Sequence, residues 1–469
     1  MQNLTLFKII STFSGKEMTS FEEFINSPLY NNADYVTKYY LKIKNYHPDF
    51  KDLKPEIIFK ALYPDRKFSD STIRRLNTEL LKLAEKFLVI TSLEKNKFLK
   101  ENILLEELDK RNADTHFSKR LKRMQEEIEK ETITGEKYYR QINDLNETEI
   151  VFLSKRDRKK AFDKYLSTIE AYDRSYTIQK LKKLISLSLE ARIYSWISSD
   201  EKKAISYAKS VSQNNYFNLP VIRLLCVILL FSIEMHEKYF YELMEMLAGH
   251  KKEISKDELE IGYFLLLNFC TIEHNKGVNS YKNAELQIYK DMIIDDILLS
   301  NNILESIVYK NVISCALDAG DHEFASEFLE EYKKYLTDSE KDNIVSYCRA
   351  NIAYSKKEYD EALSVLAKIN FQDENQKLSL RVFNLKIFYE RNMYEQAIAA
   401  IDAFKHTLKR KTPVSKSTID LYLQFIIFYE RMVKLKLKPD KVNAGLLKKE
   451  IKISDVISKN WLIREAVKL

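Results

Sequence analysis

The chain has 469 residues, 45% of them hydrophobic and 31% charged, with a formal net charge of +7. Only 7 residues are Gly and 7 are Pro, where an average chain of this length carries roughly 30 and about 23. That scarcity excludes strands joined by tight turns, which need those residues at their corners. It also excludes a Walker or Rossmann phosphate-binding loop, because the glycines are too far apart for the backbone to wrap an anion. Basic residues are mostly Lys, and they are concentrated in 401–469, whereas 293–345 is acidic. Arg is the usual choice for bidentate recognition of phosphate and bases, so the basic end is a weak pointer to an acidic partner.

In chain order, residues 1–92 read as a compact helical N-terminal domain. The pattern predicts short helices over 2–13, 19–26, 33–46 and Pro55–Tyr63, then a long one from Ser69. Ser69 is placed as its N-cap with Asp70 in the first turn. Ile73, Leu76, Leu80, Leu83, Ala84, Phe87 and Leu88 follow at helical spacing. The segment 57–80 is also similar to a helix-turn-helix, in which Arg74 and Arg75 would contact nucleic acid. The alternative makes both arginines the solvent face of a core helix, and the long turn without Gly favours it.

Residues 93–157 predict long charged helices or a helical hairpin, with Phe98, Ile103, Leu105 and Leu108 as one apolar stripe and Leu121, Met124 and Ile128 as another. The run from Lys155 to Lys160 reads as a solvated helix start. From 158 to 302 the pattern is helix, short loop, helix, over 158–173, 175–197, 201–212, 219–235, 238–250, 256–274 and 281–298. Loops fall at Ser198-Ser199-Asp200, Asn214-Asn215 and Asn301-Asn302. Leu219–Ile233 and Gly262–Ile272 are too short and interrupted to span a bilayer and read as buried inner helices. With no secretory signal and four dispersed cysteines at 226, 270, 315 and 348, a cytoplasmic protein without membrane association is expected.

The clearest self-similarity lies in 303–411. Three second helices begin alike, at Gly320-Asp-His-Glu-Phe-Ala325, Glu358-Tyr-Asp-Glu-Ala362 and Met393-Tyr-Glu-Gln-Ala397. Each Ala is followed four residues later by an apolar residue: Leu329, Leu366 and Ile401. A repeat of this length holds two antiparallel helices, with the Ala permitting close approach and His322, Tyr359 or Tyr394 wedging the turn. One such pair cannot bury its own apolar face, so pairs stack.

These segments resemble the tetratricopeptide repeat family over about 303–411, and in degenerate form over 190–300, where Ala204 opens a similar second helix. Two departures are visible: Lys357 and Asn392 stand where Gly is expected, and Ile313 and Leu385 stand where Ala350 supplies the small mid-helix residue. The fold class expected is therefore all-α, helical hairpins stacked as an α-solenoid behind a small helical N-terminal domain. The resemblance implies a concave groove lined by the first helices. In that register its positions are Lys310, Ser314 and Leu317, then Tyr347, Asn351 and Tyr354, then Val382, Lys386 and Tyr389. The family's carboxylate clamp is not reproduced, since only Lys310 fits it. Residues 412–469 are expected to cap the stack, with Trp461, Leu462 and Ile463 as anchors.

The seven histidines show no ligand spacing, and neither His-Glu-x-x-His nor Gly-x-Ser-x-Gly occurs. No catalytic residue, cofactor or metal site is expected. The sequence predicts a protein- or peptide-binding scaffold without catalytic activity of its own. The competing reading is a nucleic-acid-associated regulator with a helix-turn-helix-like N-terminal domain and a sensing repeat domain.

Overall fold

The computed structural model describes residues 4–194, 200–213, 218–276, 278, 280–337, 341–409 and 414–469. The predicted loop positions Ser198, Ser199, Asn214 and Asn215 lie outside the described residues. Among those described the chain is all-helical, with one isolated bridge between Ser300 and Ile303 and no strand. No helix among them is long and apolar enough to cross a membrane. Contacts group the chain into two units, residues 1–131 with 137–173 and residues 132–136 with 174–469.

The first unit contains α1 (Thr5–Ile10), α2 (Gly15–Asn26), α3 (Asp34–Ile43), α4 (Pro55–Leu62), α5 (Asp70–Lys95), α6 (Lys97–Lys110), α7 (Asp114–Glu129), α8 (Glu136–Ser154) and the start of α9 (Arg158–Ile193). The predicted helix 2–13 stops early because Ser14 opens a new one. Its hydroxyl accepts from the Glu17 amide while the Glu17 carboxylate accepts from the Ser14 amide, a reciprocal cap that the sequence reading missed. Ser69 caps α5 as expected, accepting from the Thr72 amide at 3.3 Å. Helix α5 is the spine of this region, packed on α1, α2, α3 and α4. Its one buried amide, Asn77, accepts a 2.5 Å hydrogen bond from Tyr39 Oη.

Helices α6 to α8 share a second core, in which Phe117 stacks on Phe152 with centroids 3.8 Å apart. The Lys155–Lys160 run is not wholly solvated. Lys155 and Arg156 both reach the buried Asp109 carboxylate, at 2.5 and 2.7 Å, and Arg156 also pairs with Asp114. These ion pairs tie the end of α8 to α6 and α7. The two helices predicted over 158–173 and 175–197 are one continuous helix, α9. Nothing at Asp173-Arg174 interrupts hydrogen bonding: there is no Gly, no Pro and no capping turn.

The second unit continues with α10 (Glu201–Val211), α11 (Pro220–Glu234), α12 (Glu237–His250), α13 (Lys256–Asn275), α14 (Lys282–Ile294), α15 (Ser306–Ala319), α16 (His322–Tyr332), α17 (Lys341–Ser355), α18 (Tyr359–Leu366), α19 (Glu374–Glu390), α20 (Tyr394–Lys409), α21 (Lys416–Leu437), α22 (Lys441–Ile453) and α23 (Lys459–Ala466). Helix α11 is buried nearly all round, from Val221 to Phe231, between α10, α12 and α13. In α13 a Cβ at Gly262 would stand 3.3 Å from Leu247, so glycine sets the approach of α12. That helix is not wholly inner, however, because Phe264 is exposed.

From α15 onward each helix packs on its chain neighbour, and α15 also packs on α17. The turns between α15 and α16, α17 and α18, and α19 and α20 are the same structure. Gly320, Lys357 and Asn392 all adopt positive φ, at 83°, 65° and 56°. The following amides of Asp321, Glu358 and Met393 return to the carbonyls of Ala316, Ala353 and Phe388, each at 2.8 Å. This is the helix-ending motif in which a left-handed residue lets the chain satisfy its orphan carbonyls. Lys357 and Asn392 therefore do what Gly320 does at some conformational cost. Ala325, Ala362 and Ala397 are each completely buried, where a larger side chain would separate the paired helices. Ala362→Leu is expected to lower stability by about 1–3 kcal/mol, read as a lower denaturant midpoint at unchanged slope.

Candidate functional site

The second unit contains a cleft of about 870 Å³. One wall is built by residues at matching places in successive helices: Ser314, Leu317 and Asp318 from α15, Asn351 and Tyr354 from α17, Lys386 and Glu390 from α19. They share a wall because each lies toward the C-terminal end of its helix, one to two turns before an identical reversal of the chain. The other boundary comes from His274, Lys282 and the C-terminal segment, chiefly Trp461, Ile463 and Arg464 of α23. A narrower recess of about 250 Å³ opens beside Lys386, lined by Tyr347, Val382, Phe383 and Tyr422.

Of the groove positions predicted from the sequence, Ser314, Leu317, Asn351, Tyr354 and Lys386 line the cleft, and Tyr347 and Val382 line the recess. Two depart from that register. Lys310 is half-buried and lines neither space. Tyr389 is 2% exposed, held edge-on between Tyr429 and Trp461, and belongs to the core beneath the cleft. Lys386 and Tyr389 are nearly one turn apart, and the intervening rotation is enough to carry the tyrosine toward α21.

The strongest polar feature is Glu390, which the sequence reading missed. Its carboxylate accepts from Tyr354 Oη, from Tyr359 Oη at 2.8 Å, from Trp461 Nε1 at 2.7 Å and from Arg464 at 2.9 Å. Burial alone would raise its carboxyl. The hydrogen bonds from Tyr354, Trp461 and Tyr359 and the Arg464 charge outweigh that and hold it below the usual carboxylate value. This cluster fastens α23 onto α17 and α19. Asn460 Nδ2 adds a 3.3 Å hydrogen bond to the His274 carbonyl, 186 positions away in the chain. The expected wedge residue Tyr359 thus does more than fill its own turn, since it contacts the Tyr354 ring and reaches Glu390. Of the expected cap anchors, Trp461 and Leu462 are buried, whereas Ile463 faces the cleft.

Five basic side chains border the cleft, Lys282, Lys357, Lys386, Arg464 and Lys468, against the carboxylates of Asp318 and Glu390. Arg464 is committed to Glu390 and Glu465, and Lys468 to Glu465. Among the described residues, Lys282, Lys357 and Lys386 make no side-chain ion pair or hydrogen bond. Burial pushes the Lys386 ammonium down to about 8, with the nearby Arg464 charge acting in the same direction.

Acid–base residue types line the cleft, but among the described residues no Ser or Cys there is hydrogen-bonded to a base. Glu390 spends its lone pairs on four donors, and Ser314 has no hydrogen-bond partner among the described residues. The four cysteines are buried; burial pushes Cys226, Cys270 and Cys348 up to about 12, so these thiols are not nucleophiles at neutral pH. Among the described residues no three His, Cys, Asp or Glu gather as a metal site. Arg74 and Arg75, at the other predicted site, are exposed on α5. Arg74 pairs with Asp70 at 2.7 Å, and Arg75 lies over the Tyr35 ring.

Comparison with known proteins finds no match to a family model, to a curated protein or to a solved structure.

Proposed function

We propose that residues 303–411 are tetratricopeptide-like hairpins stacked as an α-solenoid, and that the chain is a cytoplasmic protein- or peptide-binding scaffold without catalytic activity of its own. One observation carries this reading: Ser314, Asn351 and Lys386, which recur at 37 and 35 residues, line a single cleft. A side chain repeated at one place in successive helices makes a continuous surface, which suits an extended ligand better than a point reaction. The mixture of an aromatic hydroxyl, an amide and unpaired ammonium groups suits recognition of a peptide. The commitment of Glu390 to four donors argues against general-base chemistry there. The nucleic-acid reading has less support, because Arg74 is already paired with an acid and Arg75 is stacked on a ring.

Ser314 is exposed and holds nothing in place, so Ser314→Trp obstructs the cleft without disturbing the core. Affinity purification from the native extract, followed by mass spectrometry, is expected to recover a stoichiometric partner with the wild type and lose it with Ser314→Trp, at unchanged thermal stability. Equal recovery by both would remove the cleft from the reading. A salt-sensitive DNA shift retained by the variant would favour the nucleic-acid alternative.

A further inference from the structure

The uncommitted charge in the cleft has a consequence for what it holds. Lys386 sits where the wide cleft meets the narrow recess, and it lines both. No carboxylate stands within ion-pair distance of it among the described residues; Asp318 and Glu390 act on it only at longer range. Tyr347 and Tyr422 belong to the recess, Tyr354 donates to Glu390, and Glu390 is already paired with Arg464. Asp318 is the one carboxylate lining the cleft without an ion pair or hydrogen bond among the described residues, and its charge reaches Lys386. An ammonium group withdrawn from water without an acceptor is unfavourable. Such a group is tolerated where a bound anion supplies the missing acceptor.

We propose that the cleft binds an acidic peptide segment, with a carboxylate of the ligand on Lys386 and Lys282 and a neighbouring apolar side chain in the recess between Tyr347, Phe383 and Tyr422. The proposal rests on the peptide-binding reading above and adds the chemistry of the peptide. The recess supplies the apolar anchor that fixes register. The ammonium groups supply selection by charge, because a lysine-bearing ligand would meet three unpaired cations. Lys386 lies outside the positions of the clamp that the repeat resemblance would suggest, so it is a different site from that clamp.

Lys386 also makes binding depend on pH. Its ammonium is held down to about 8 in the free protein, and a bound carboxylate favours the charged form. Binding is therefore strongest below pH 8 and weakens as the free lysine loses its proton. The charged groups facing Lys386 do not reverse this: Arg464 opposes its charge as burial does, and the Asp318 and Glu390 carboxylates favour it without offsetting burial; the Tyr347 and Tyr354 hydroxyls are raised by burial and stay neutral.

The test uses the full chain and three fluorescein-labelled decapeptide pools, alike except for Glu, Gln or Lys at two central positions beside a Leu. Inorganic phosphate serves as a competing anion. The Glu pool is expected to bind best, to be displaced by phosphate, and to lose at least about tenfold in affinity with Lys386→Met, the scale of one hydrogen bond to a charged group. A loss of at least about tenfold between pH 7 and pH 9.5 is also expected for the wild type. Lys282→Gln, at the cleft margin, is expected to weaken the same pool with the fold intact. Equal binding of all pools, abolished by Ser314→Trp, would overturn the charge proposal and leave peptide binding standing. Phosphate binding that needs Lys386 while no pool binds would overturn peptide binding and leave the anion site. Binding of the Glu pool unaffected by Lys386→Met would overturn the assignment to this lysine.

Discussion

Replacing Glu390 with alanine is expected to lower the melting temperature of the second unit by roughly 5–15 °C, the largest effect of any cleft substitution. The reasoning is direct. Four donors, on Tyr354, Tyr359, Trp461 and Arg464, converge on this carboxylate. Alanine takes this acceptor from both tyrosine hydroxyls and the Trp461 indole in a partly buried setting, and leaves Arg464 with Glu465 alone as its carboxylate partner. Breaking such a pair by removing one partner costs about 3–5 kcal/mol, which for a unit of this size is a shift of several degrees at least. Trp461 provides the local readout, since its indole loses its acceptor and its emission is expected to shift toward the red. Acid should imitate the mutation. The carboxyl is held below its ordinary 4.5, so its contribution is complete at pH 7 and is lost as the pH falls below about 4.5. Glu390→Ala should be insensitive to pH over that range relative to wild type. An unchanged melting temperature and emission would mean that α23 is held by apolar packing alone.

Lys386→Met is expected to act in the opposite sense and raise the melting temperature, by roughly 2–6 °C at pH 7. An exposed lysine titrates near 10.5, whereas Lys386 is held down to about 8. For a basic group, a lowered folded-state value means that protonation opposes folding. Each pKa unit corresponds to about 1.4 kcal/mol, so the opposition is at most about 3.5 kcal/mol, and less after allowance for the solvent that reaches the cleft. It is fully present below pH 8 and fades as the pH rises toward 10.5, because the folded protein sheds the charge first. The advantage of methionine should therefore be large at pH 7 and small at pH 10. Methionine fits the place, being unbranched and adaptable among Tyr347, Phe383 and Tyr354. A gain in stability coupled to a loss of acidic-peptide binding is the expected signature of a residue kept for function at the expense of stability. A melting temperature lowered by the substitution would show that Lys386 has a stabilising partner.

Local features of this chain were legible from its sequence, and features made by distant residues were not. The three equivalent turns were readable because the Ala spacing and the polar residue before each second helix are local patterns. Ser314, Asn351 and Lys386 followed from that register alone. Tyr389 did not, because a helix position a fraction of a turn away faces a different neighbour, and neither α21 nor Trp461 could be placed beside it from periodicity. Glu390 was missed for the same reason: its donors lie 31 to 74 positions away. A usable signal existed in Trp461 and Arg464, three residues apart on one helical face, which together demand an acceptor. The sequence analysis divides α9 into 158–173 and 175–197, yet no Gly, Pro or cap stands between them, and without one a helix does not end.

Helix α9 carries exposed apolar residues along one face. Phe162, Leu166, Ile169 and Tyr172 of α9 are exposed at helical spacing, a stripe larger than scattered surface apolar residues usually form.

Hydrogen exchange of the full chain, with and without its purified partner, tests the central claim most directly. Protection concentrated in 306–319, 341–355 and 374–390, and removed by Ser314→Trp, is the expected result. Protection confined to 70–95 or 158–176, with the three cleft helices exchanging as in the free protein, would contradict it.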